Sequence, residues 1–327
     1  MDEGRLCVHP VQQVRQRVHE PKVRRSNIEV SVVAIAPLTA SRLSGLMTQQ
    51  PILITGGTGK VGTRIVSLLR RRNVAVRVGS RSGVPRFDWT DQDTWKRALA
   101  GSKTVFIVPH DGELLTRPFV QQARDLGVER VVLLSGRGVD VPGYAGDDNA
   151  AGRTHIDGED AVRSCGLAWT ILRPGWFAQN FSEGFFRDAV LAGEVRLPAG
   201  DGAVSFVDAE DIAAVAVAAL TEDGHEGQTY ELSGPRALTI AEAVELISEA
   251  VGRTVRYVRL TVEEFIAHLE GEGWPKADAV AYADAIAPIR HGMDEHLSDG
   301  VQRALGRPPR DFARFVKDAA TAGAWRG

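Results

Sequence analysis

Three glycines spaced three residues apart, Gly56, Gly59 and Gly62, are the sequence feature with the clearest chemical meaning. They directly follow the apolar run Ile52–Thr55 and lead into a helical pattern of apolar residues. Glycine at a strand-to-helix turn lets the backbone approach a pyrophosphate closely, and the helix N-terminus supplies free N–H groups and a positive dipole end. The motif therefore predicts a dinucleotide site built from Gly56, Thr58, Gly59, Lys60, Val61 and Gly62.

Residues 78–82, at the end of the second predicted strand, indicate which dinucleotide to expect. A site that prefers NAD carries Asp or Glu about 20 residues beyond the glycines, where the acid binds the ribose 2′-hydroxyl. No acid occurs here, and Arg81 suits a 2′-phosphate because a guanidinium makes charge-assisted hydrogen bonds to phosphate oxygens. The predicted cofactor is NADP(H); the alternative is that Arg81 is an ordinary surface arginine. Lys60 either adds a positive charge near the phosphates or points to water.

The elements that position these residues alternate between strand and helix from Pro51 onward, which predicts a parallel sheet covered on both faces. Strands are expected at Ile52–Thr55, 74–78, 104–108, 131–134 and 169–172. Helices are expected at 61–69, 91–100, 114–126 and 154–164. The predicted fold class is therefore α/β, a doubly wound parallel sheet of the Rossmann type. A smaller, interleaved substrate-side portion is expected over about 176–327.

The strict alternation weakens after Pro174. Phe177, Phe181 and Phe185 recur at every fourth residue, which predicts one apolar helix face in the core. Asp208 and Asp211 have the spacing of a helix start before 212–220. Further helices are expected near 240–251, 261–270, 276–287 and 309–320, and a strand near 254–258.

Composition narrows the classes of partner. A net charge of −3 gives no reason to expect nucleic acid or an anionic membrane, so a small-molecule substrate is expected. Cys7 and Cys165 suggest neither a disulfide framework nor metal-ligand spacing, and the eight histidines are scattered, so no metal site is predicted. A reducing, cytoplasmic setting fits this composition, with a monomer or homodimer as the expected state. Residues 1–46 lack a coherent period and are expected to be a disordered tail or a non-native extension, with 47–327 as the folded domain.

These motifs resemble a known group over nearly everything from Pro51 to Phe315. Taken together, they are similar to the atypical short-chain dehydrogenase/reductases that include the NmrA-like proteins. Residues 78–82 and 87–89 look most like the fungal ergot-alkaloid reductases of the agroclavine dehydrogenase and festuclavine synthase type, which reduce a carbon–nitrogen double bond with NADPH. Quinone and azo reductases of the NmrA-like group come next. The segments that carry the resemblance are 54–59, 87–89, 155–159, 172–180 and 306–310.

The resemblance implies roles for residues beyond the glycine turn. Cofactor contacts are implied for Asp88, Pro109, Ser135, His155 and Pro174. Asp88 either accepts from the adenine amino group or only caps the following helix. Ser135 closes a strand at the sheet edge where ligands bind, or is a plain strand-end serine. Trp176 and Asn180, predicted on one helix face, are expected to border the substrate, with a core position as the alternative for Trp176.

The chain also departs from the common pattern of its group. Ordinary short-chain dehydrogenases use a Tyr-x-x-x-Lys pair, and here the Tyr position holds Ala151 and the Lys position holds His155. Two substitutes are candidates. His155 either contacts the nicotinamide ribose or donates a proton, or is only a surface histidine. Tyr144, in the Gly- and Asp-rich loop 136–152, is either an acid delivered by a lid or an ordinary loop tyrosine.

The missing pair argues against alcohol–ketone chemistry. It leaves hydride transfer to an acceptor that needs little help from a proton donor, such as an iminium, a quinone or an azo compound. The sequence thus predicts an NADPH-dependent reductase of a small conjugated acceptor. The alternative is a non-catalytic sensor of the NmrA type, which binds NADP(H) and reports the redox balance to a protein partner.

Overall fold

The computed structural model describes residues 50–144 and 150–326. The predictions for residues 1–46 and for the middle of the 136–152 loop lie outside these ranges. Strands in the described ranges are Ile52–Thr55 (β1), Val76–Gly79 (β2), Thr104–Ile107 (β3), Arg130–Leu134 (β4), Ala168–Pro174 (β5), Glu194–Leu197 (β6), Ala203–Val204 (β7), Gln228–Leu232 (β8), Leu238–Thr239 (β9) and Arg256–Arg259 (β10).

The helices of the same ranges are Lys60–Arg71 (α1), Asp93–Leu99 (α2), Thr116–Asp125 (α3), Ala150–Ser164 (α4), Asn180–Glu183 (α5), Arg187–Ala192 (α6), Ala209–Thr221 (α7), Ile240–Val251 (α8), Val262–Gly271 (α9), Lys276–Arg290 (α10), Gly300–Leu305 (α11) and Phe312–Thr321 (α12). Each helix and strand predicted between Pro51 and Pro174 is present, with ends shifted by a few residues.

Six strands form one parallel sheet in the order β2-β1-β3-β4-β5-β8. Strands buried on both faces must be apolar throughout, and β1 with its sequence Ile-Leu-Ile-Thr is buried at all four positions. The order reverses between β1 and β3, so their carboxyl ends border a crevice, the usual ligand position in an open α/β sheet. The predicted doubly wound Rossmann class is confirmed.

Helices cover both faces of this sheet. On one face α1 and α7 join a buried cluster that includes Ile65, Phe106 and Ile212. On the other face α2, α3 and α4 contribute Trp95, Phe119 and Val162 to a second cluster. The sheet therefore sits between two apolar layers, and burial of these layers is the main force holding the glycine turn at the sheet edge.

A third apolar cluster is built from residues between Ala178 and Trp325. It contains α8 to α10, α12 and two small strand pairs, β6 with β10 and β7 with β9. Strand β8 and helix α11 lie late in the chain but pack with the sheet. Residues of the third cluster therefore alternate along the sequence with residues that pack against the sheet. The boundary proposed near residue 176 stays a prediction.

The predicted single helix carrying three phenylalanines is wrong. Phe181 lies in the four-residue α5 and is fully buried, whereas Phe177 precedes the helix in a bridge to Val207, and Phe185 is 51% exposed. The break comes at Gly184, where the backbone is extended and a Cβ would lie only 2.5 Å from Nζ of Lys60. The end of the Lys60 side chain, which comes from a distant helix, therefore lies directly against the backbone of Gly184.

The shared helix face predicted for Trp176 and Asn180 is also wrong, because Trp176 lies before the helix begins. Asn180 begins α5, while Trp176 lies in the irregular segment that follows β5. The two residues are therefore held by different contacts rather than by one helical turn.

The acidic residues at the start of α7, Asp208 and Asp211, make different contacts. Asp208 is the N-cap, as predicted, and its carboxylate accepts from the Glu210 backbone N–H at 2.9 Å. Asp211 is fully buried and accepts from the Arg307 side chain at 2.7 Å and the Arg310 backbone N–H at 2.6 Å. Asp211 thus anchors the 306–310 segment to the sheet domain.

Candidate functional site

The glycine turn has the close contacts that a pyrophosphate cradle requires. Gly56 has φ +61°, and a Cβ there would lie 3.0 Å from Cβ of Val108. A Cβ on Gly62 would lie 2.2 Å from the Gly56 carbonyl oxygen, so only glycine fits. The helix α1 begins after Gly59 with no acidic residue in its first turn, and its first N–H groups lack helical partners. This turn fits a dinucleotide pyrophosphate.

Thr55 links two strands beside the glycine turn. Its hydroxyl donates to the Phe106 carbonyl at 3.2 Å and accepts from the Val108 N–H at 2.8 Å, which ties β1 to the end of β3. Pro109 follows at this edge and is buried. Pro109 therefore lies at the switch point of the sheet, and its implied cofactor contact stays a prediction.

Arg81 lies just beyond β2 and is exposed, with no hydrogen bond or ion pair to any residue that the structure describes. Asp88, in contrast, is engaged locally: it pairs with Arg86 at 2.7 Å and accepts from Thr90. Burial alone would raise the pKa of Asp88, but the bonds from Thr90 and Arg86 outweigh it and the pKa is lowered. Asp88 does not cap α2, whose N-cap is Gln92. Its adenine contact stays a prediction.

Ser135 closes β4 at the carboxyl edge, and its hydroxyl proton is already used. Its Oγ donates to Oε1 of Glu159 at 2.6 Å, and both residues are buried. A serine whose proton is held by a carboxylate offers only lone pairs to a ligand. The Ser135 proton is therefore committed to Glu159, and a cofactor contact by Ser135 stays a prediction.

Glu159 binds three side chains at the carboxyl edge of the sheet. In the sequence it is marked only as part of the 155–159 segment. Its two oxygens accept from Arg173 at 2.8 and 2.7 Å, and Oε2 also accepts from Arg163 at 2.8 Å. Burial would raise the pKa of Glu159, but the bonds from Arg173 and Ser135 lower it below its ordinary value. Glu159 is therefore an ionised group that fixes Ser135 and the end of β5.

His155 lies one turn before Glu159 on α4. Its Nδ1 is buried and has no hydrogen-bond partner among the residues that the structure describes. Burial lowers the pKa of His155, against the opposing charges of Asp111 and Glu159, so a neutral ring is favoured near pH 7. An unpaired buried ring nitrogen is costly, and a ligand hydrogen bond would remove that cost. This orphaned atom fits a bound dinucleotide at the carboxyl edge.

Tyr144 does not present its proton to the crevice. Its hydroxyl donates to Oδ1 of Asp294 at 2.6 Å, and Nε1 of Trp176 donates to Oδ2 of the same carboxylate at 3.2 Å. Burial raises the pKa of Tyr144, and the charge of Asp294 raises it further. The phenol therefore holds its proton, which makes Tyr144 a poor general acid.

Lys60 connects the glycine turn to the predicted substrate segment. Its Nζ donates to Oδ1 of Asn180 at 3.1 Å and lies 5.4 Å from the ring centre of Phe185. Burial lowers the pKa of Lys60, partly opposed by the negative charge of Glu183. The Lys60 ammonium group is therefore held by Asn180 and does not point to open water. A phosphate contact by this residue stays a prediction.

The structure thus places the predicted residues in two groups. The first surrounds the β1–β3 switch point; the second joins the ends of β4 and β5, where the buried Pro174 accepts from the Arg137 N–H at 3.0 Å. Arg137 itself was missed by the sequence analysis. It is buried, donates to Ser205 at 2.9 Å and pairs with Glu231 at 2.8 Å. Asp294 was also missed, since no local pattern marks either residue.

The fold and the glycine turn define a dinucleotide-binding Rossmann protein. Residues 56–223 match the family model described as NAD(P)H-binding. The chain is 36% identical to the NAD(P)H azoreductase of Xenophilus azovorans, over 83% of this chain and 98% of that one. It is 34% identical to the agroclavine dehydrogenase of Claviceps fusiformis, over 82% of this chain and 96% of that one. The triphenylmethane reductase of Citrobacter sp., solved with NADP(H), matches with TM-score 0.65, 25% identity and coverage of 82% and 99%.

The chain therefore belongs to the NAD(P)H-binding family and is an NAD(P)H-dependent oxidoreductase of it. The predicted resemblance to NmrA-like atypical short-chain dehydrogenase/reductases is confirmed, as is its likeness to the ergot-alkaloid reductases. Across residues 50–144 and 150–326, no helix is long and apolar enough to cross a membrane. Within these same ranges, no three His, Cys, Asp or Glu side chains group to hold a metal.

Proposed function

We propose that this protein is an NADPH-dependent reductase of a small conjugated acceptor such as a quinone, an iminium or an azo compound. The observation that carries the proposal is that the hydroxyl groups nearest the site already donate their protons within the protein. Ser135 and Tyr144 each donate to a carboxylate, and the Tyr and Lys positions of the usual catalytic pair hold Ala151 and His155. An acceptor that gains a hydride without a strong acid suits such a site.

The protein's own residues divide the work between binding and orientation. Bound NADPH would supply the hydride. The glycine turn and Arg81 would hold its phosphates. At the nicotinamide end Ser135 would accept hydrogen bonds, and His155 would accept or donate them. Trp176 would border the acceptor at the end of β5. Two relatives support this proposal by their names, an NAD(P)H azoreductase and an agroclavine dehydrogenase.

The direct test measures NADPH absorbance with a panel of quinones, cyclic iminium ions and azo dyes. Turnover of at least one class is expected. Binding of both NADPH and NADP⁺ without turnover of any class would instead identify the non-catalytic sensor.

We further propose a cytoplasmic location, a small-molecule acceptor as the partner, and a monomer or homodimer. Size-exclusion chromatography with light scattering would determine the oligomeric state.

Arg81→Ala is expected to weaken NADPH binding by about 1.5–3 kcal/mol while hardly changing NADH binding, because a charged hydrogen bond to the 2′-phosphate is lost. Fluorescence titration with each cofactor measures the effect. Arg86→Ala is the matched control, since Arg86 lies on the same loop but is paired with Asp88 and Asp91. Equal weakening of both cofactors would show that Arg81 supports the loop rather than the phosphate.

His155→Ala and Tyr144→Phe are each expected to lower the rate of hydride transfer by less than about 100-fold, the lower limit for removing a true general acid. The reason is that the Tyr144 proton is held by Asp294 and that His155 is favoured in its neutral form. Single-turnover kinetics with the acceptor found in the panel would measure both variants. A collapse of the rate in Tyr144→Phe, with NADPH affinity intact, would make Tyr144 the proton donor.

A further inference from the structure

One buried carboxylate joins three distant segments beside the end of β5. Asp294, in the segment after α10, is only 1% exposed. Its Oδ1 accepts from Tyr144 and its Oδ2 accepts from the indole N–H of Trp176. Its backbone carbonyl accepts from the Ser205 N–H at 3.1 Å, which holds the backbone of Asp294 in place. A buried acid is retained at a cost, and here both of its oxygens are used.

The bond to the indole has a chemical consequence for the ring. Aromatic faces are negative, and donation of the N–H to an anionic acceptor polarises the indole further toward a negative face. Phe186 stacks on Trp176 with ring centres 6.1 Å apart and an interplanar angle of 11°, while Trp176 stays partly exposed. Such a ring attracts planar partners that are poor in electrons or positively charged.

Tyr144 supports the same arrangement from the 136–144 loop. A Cβ on Gly138 would lie 2.6 Å from the Tyr144 ring, so the ring packs directly against the loop that follows β4. Burial raises the pKa of Asp294, and the bond from Tyr144 together with the charge of Arg137 opposes this shift. By donating to Oδ1, Tyr144 therefore helps to hold the Asp294 carboxylate with its Oδ2 toward the indole N–H of Trp176.

We propose that Asp294 is a positioning residue that selects planar, electron-poor acceptors by polarising Trp176, the ring on which they stack. This inference rests on the proposed reductase function. It assigns acceptor preference to a residue from the C-terminal portion, and it separates Asp294 from cofactor binding.

The test is a double-mutant cycle with Asp294→Asn and Trp176→Phe, because Phe keeps an aromatic ring but lacks the N–H. Asp294→Asn is expected to weaken binding of 1,4-naphthoquinone to the NADP⁺-loaded protein about 3- to 10-fold, the scale of an aromatic interaction. The same change should have almost no further effect in the Trp176→Phe background. Equilibrium dialysis measures binding in all four proteins, and the KM for the quinone should rise in parallel while kcat changes little.

The matched probe is 1,4-dimethoxynaphthalene, a planar and electron-rich compound of similar shape that cannot accept hydride. Its binding should be unchanged by Asp294→Asn. Equal loss for both probes, additive effects in the cycle, or weaker NADPH binding would overturn the proposal and make Asp294 a structural residue. Tyr144→Phe, which leaves the indole bond in place, should show a smaller change than Asp294→Asn; a larger one would also contradict it. Because binding is measured without turnover, failure of the reductase function itself would appear separately, as absence of NADPH oxidation.

Discussion

Gly62→Ala is expected to weaken NADPH binding by about 100-fold or more, on the scale of a ~1 Å displacement of interacting groups. The new Cβ would lie 2.2 Å from the Gly56 carbonyl oxygen and 2.7 Å from Cα of Gly57. Both are backbone atoms, so the turn itself must move, and with it the N–H groups that would contact the pyrophosphate. Isothermal titration calorimetry measures the affinity, and the melting temperature of the free protein measures the effect on folding.

Gly59→Ala is the control within the same turn. A Cβ there would lie 3.3 Å from the same carbonyl oxygen, and the backbone φ of −83° is accessible to alanine. The loss of NADPH affinity should stay below about tenfold, or ~1.4 kcal/mol. Equal losses in both variants would show that flexibility of the whole turn matters, rather than the close approach at Gly62.

The sheet and its glycine turn could be predicted because their signals are local. Strands buried on both faces must be continuously apolar, as in Ile52–Thr55, and the glycine motif begins at Gly56, directly after that run. The spacing of apolar residues then predicted α1 and the helices that follow it as far as β5. The predicted ends were displaced by a few residues, as expected where helix ends fray.

The segment after β5 was mispredicted because its structure is decided by distant residues. A repeat of phenylalanines at every fourth position indicates a helix, yet α5 ends at Gly184, where the end of the Lys60 side chain from α1 lies against the backbone. The strand β8 was missed because its sequence, Gln-Thr-Tyr-Glu-Leu, alternates at the sheet edge and lacks the long apolar run of β1. Local pattern cannot report a contact made 120 residues away.

The candidate site divides in the same manner. The absent Tyr-x-x-x-Lys pair is visible in the sequence as Ala151 and His155. The engagement of Ser135 by Glu159 and of Tyr144 by Asp294 is not, because the second contact joins residues 150 positions apart. Residue type nominates a proton donor, but only the hydrogen-bond partners decide whether its proton is available.

Glu159→Ala is expected to lower the free energy of unfolding by about 3–5 kcal/mol, the usual cost of removing one member of a buried ion pair. The Glu159 side chain is 2% exposed, and its two oxygens accept from Nε and Nη2 of Arg173. Without it, Arg173 keeps only Asp140 as an ion-pair partner among the described residues, and Ser135 loses its acceptor. Urea unfolding with an unchanged m-value would measure the loss as one of stability alone.

Asp140→Ala tests whether burial, rather than pairing with Arg173, decides the cost. Asp140 contacts the same guanidinium at 2.7 Å but is 56% exposed, so its removal should cost less than about 1 kcal/mol. The pH dependence provides a second measurement. Because the folded-state pKa of Glu159 lies below its ordinary 4.5, this carboxylate stabilises the fold above that pH and loses its contribution as the pH falls through the folded value. Glu159→Gln should therefore lose less stability on acidification than the natural protein. Equal costs for Glu159→Ala and Asp140→Ala, or identical acid sensitivity of Glu159→Gln and the natural protein, would show that Glu159 does not hold this edge of the sheet together.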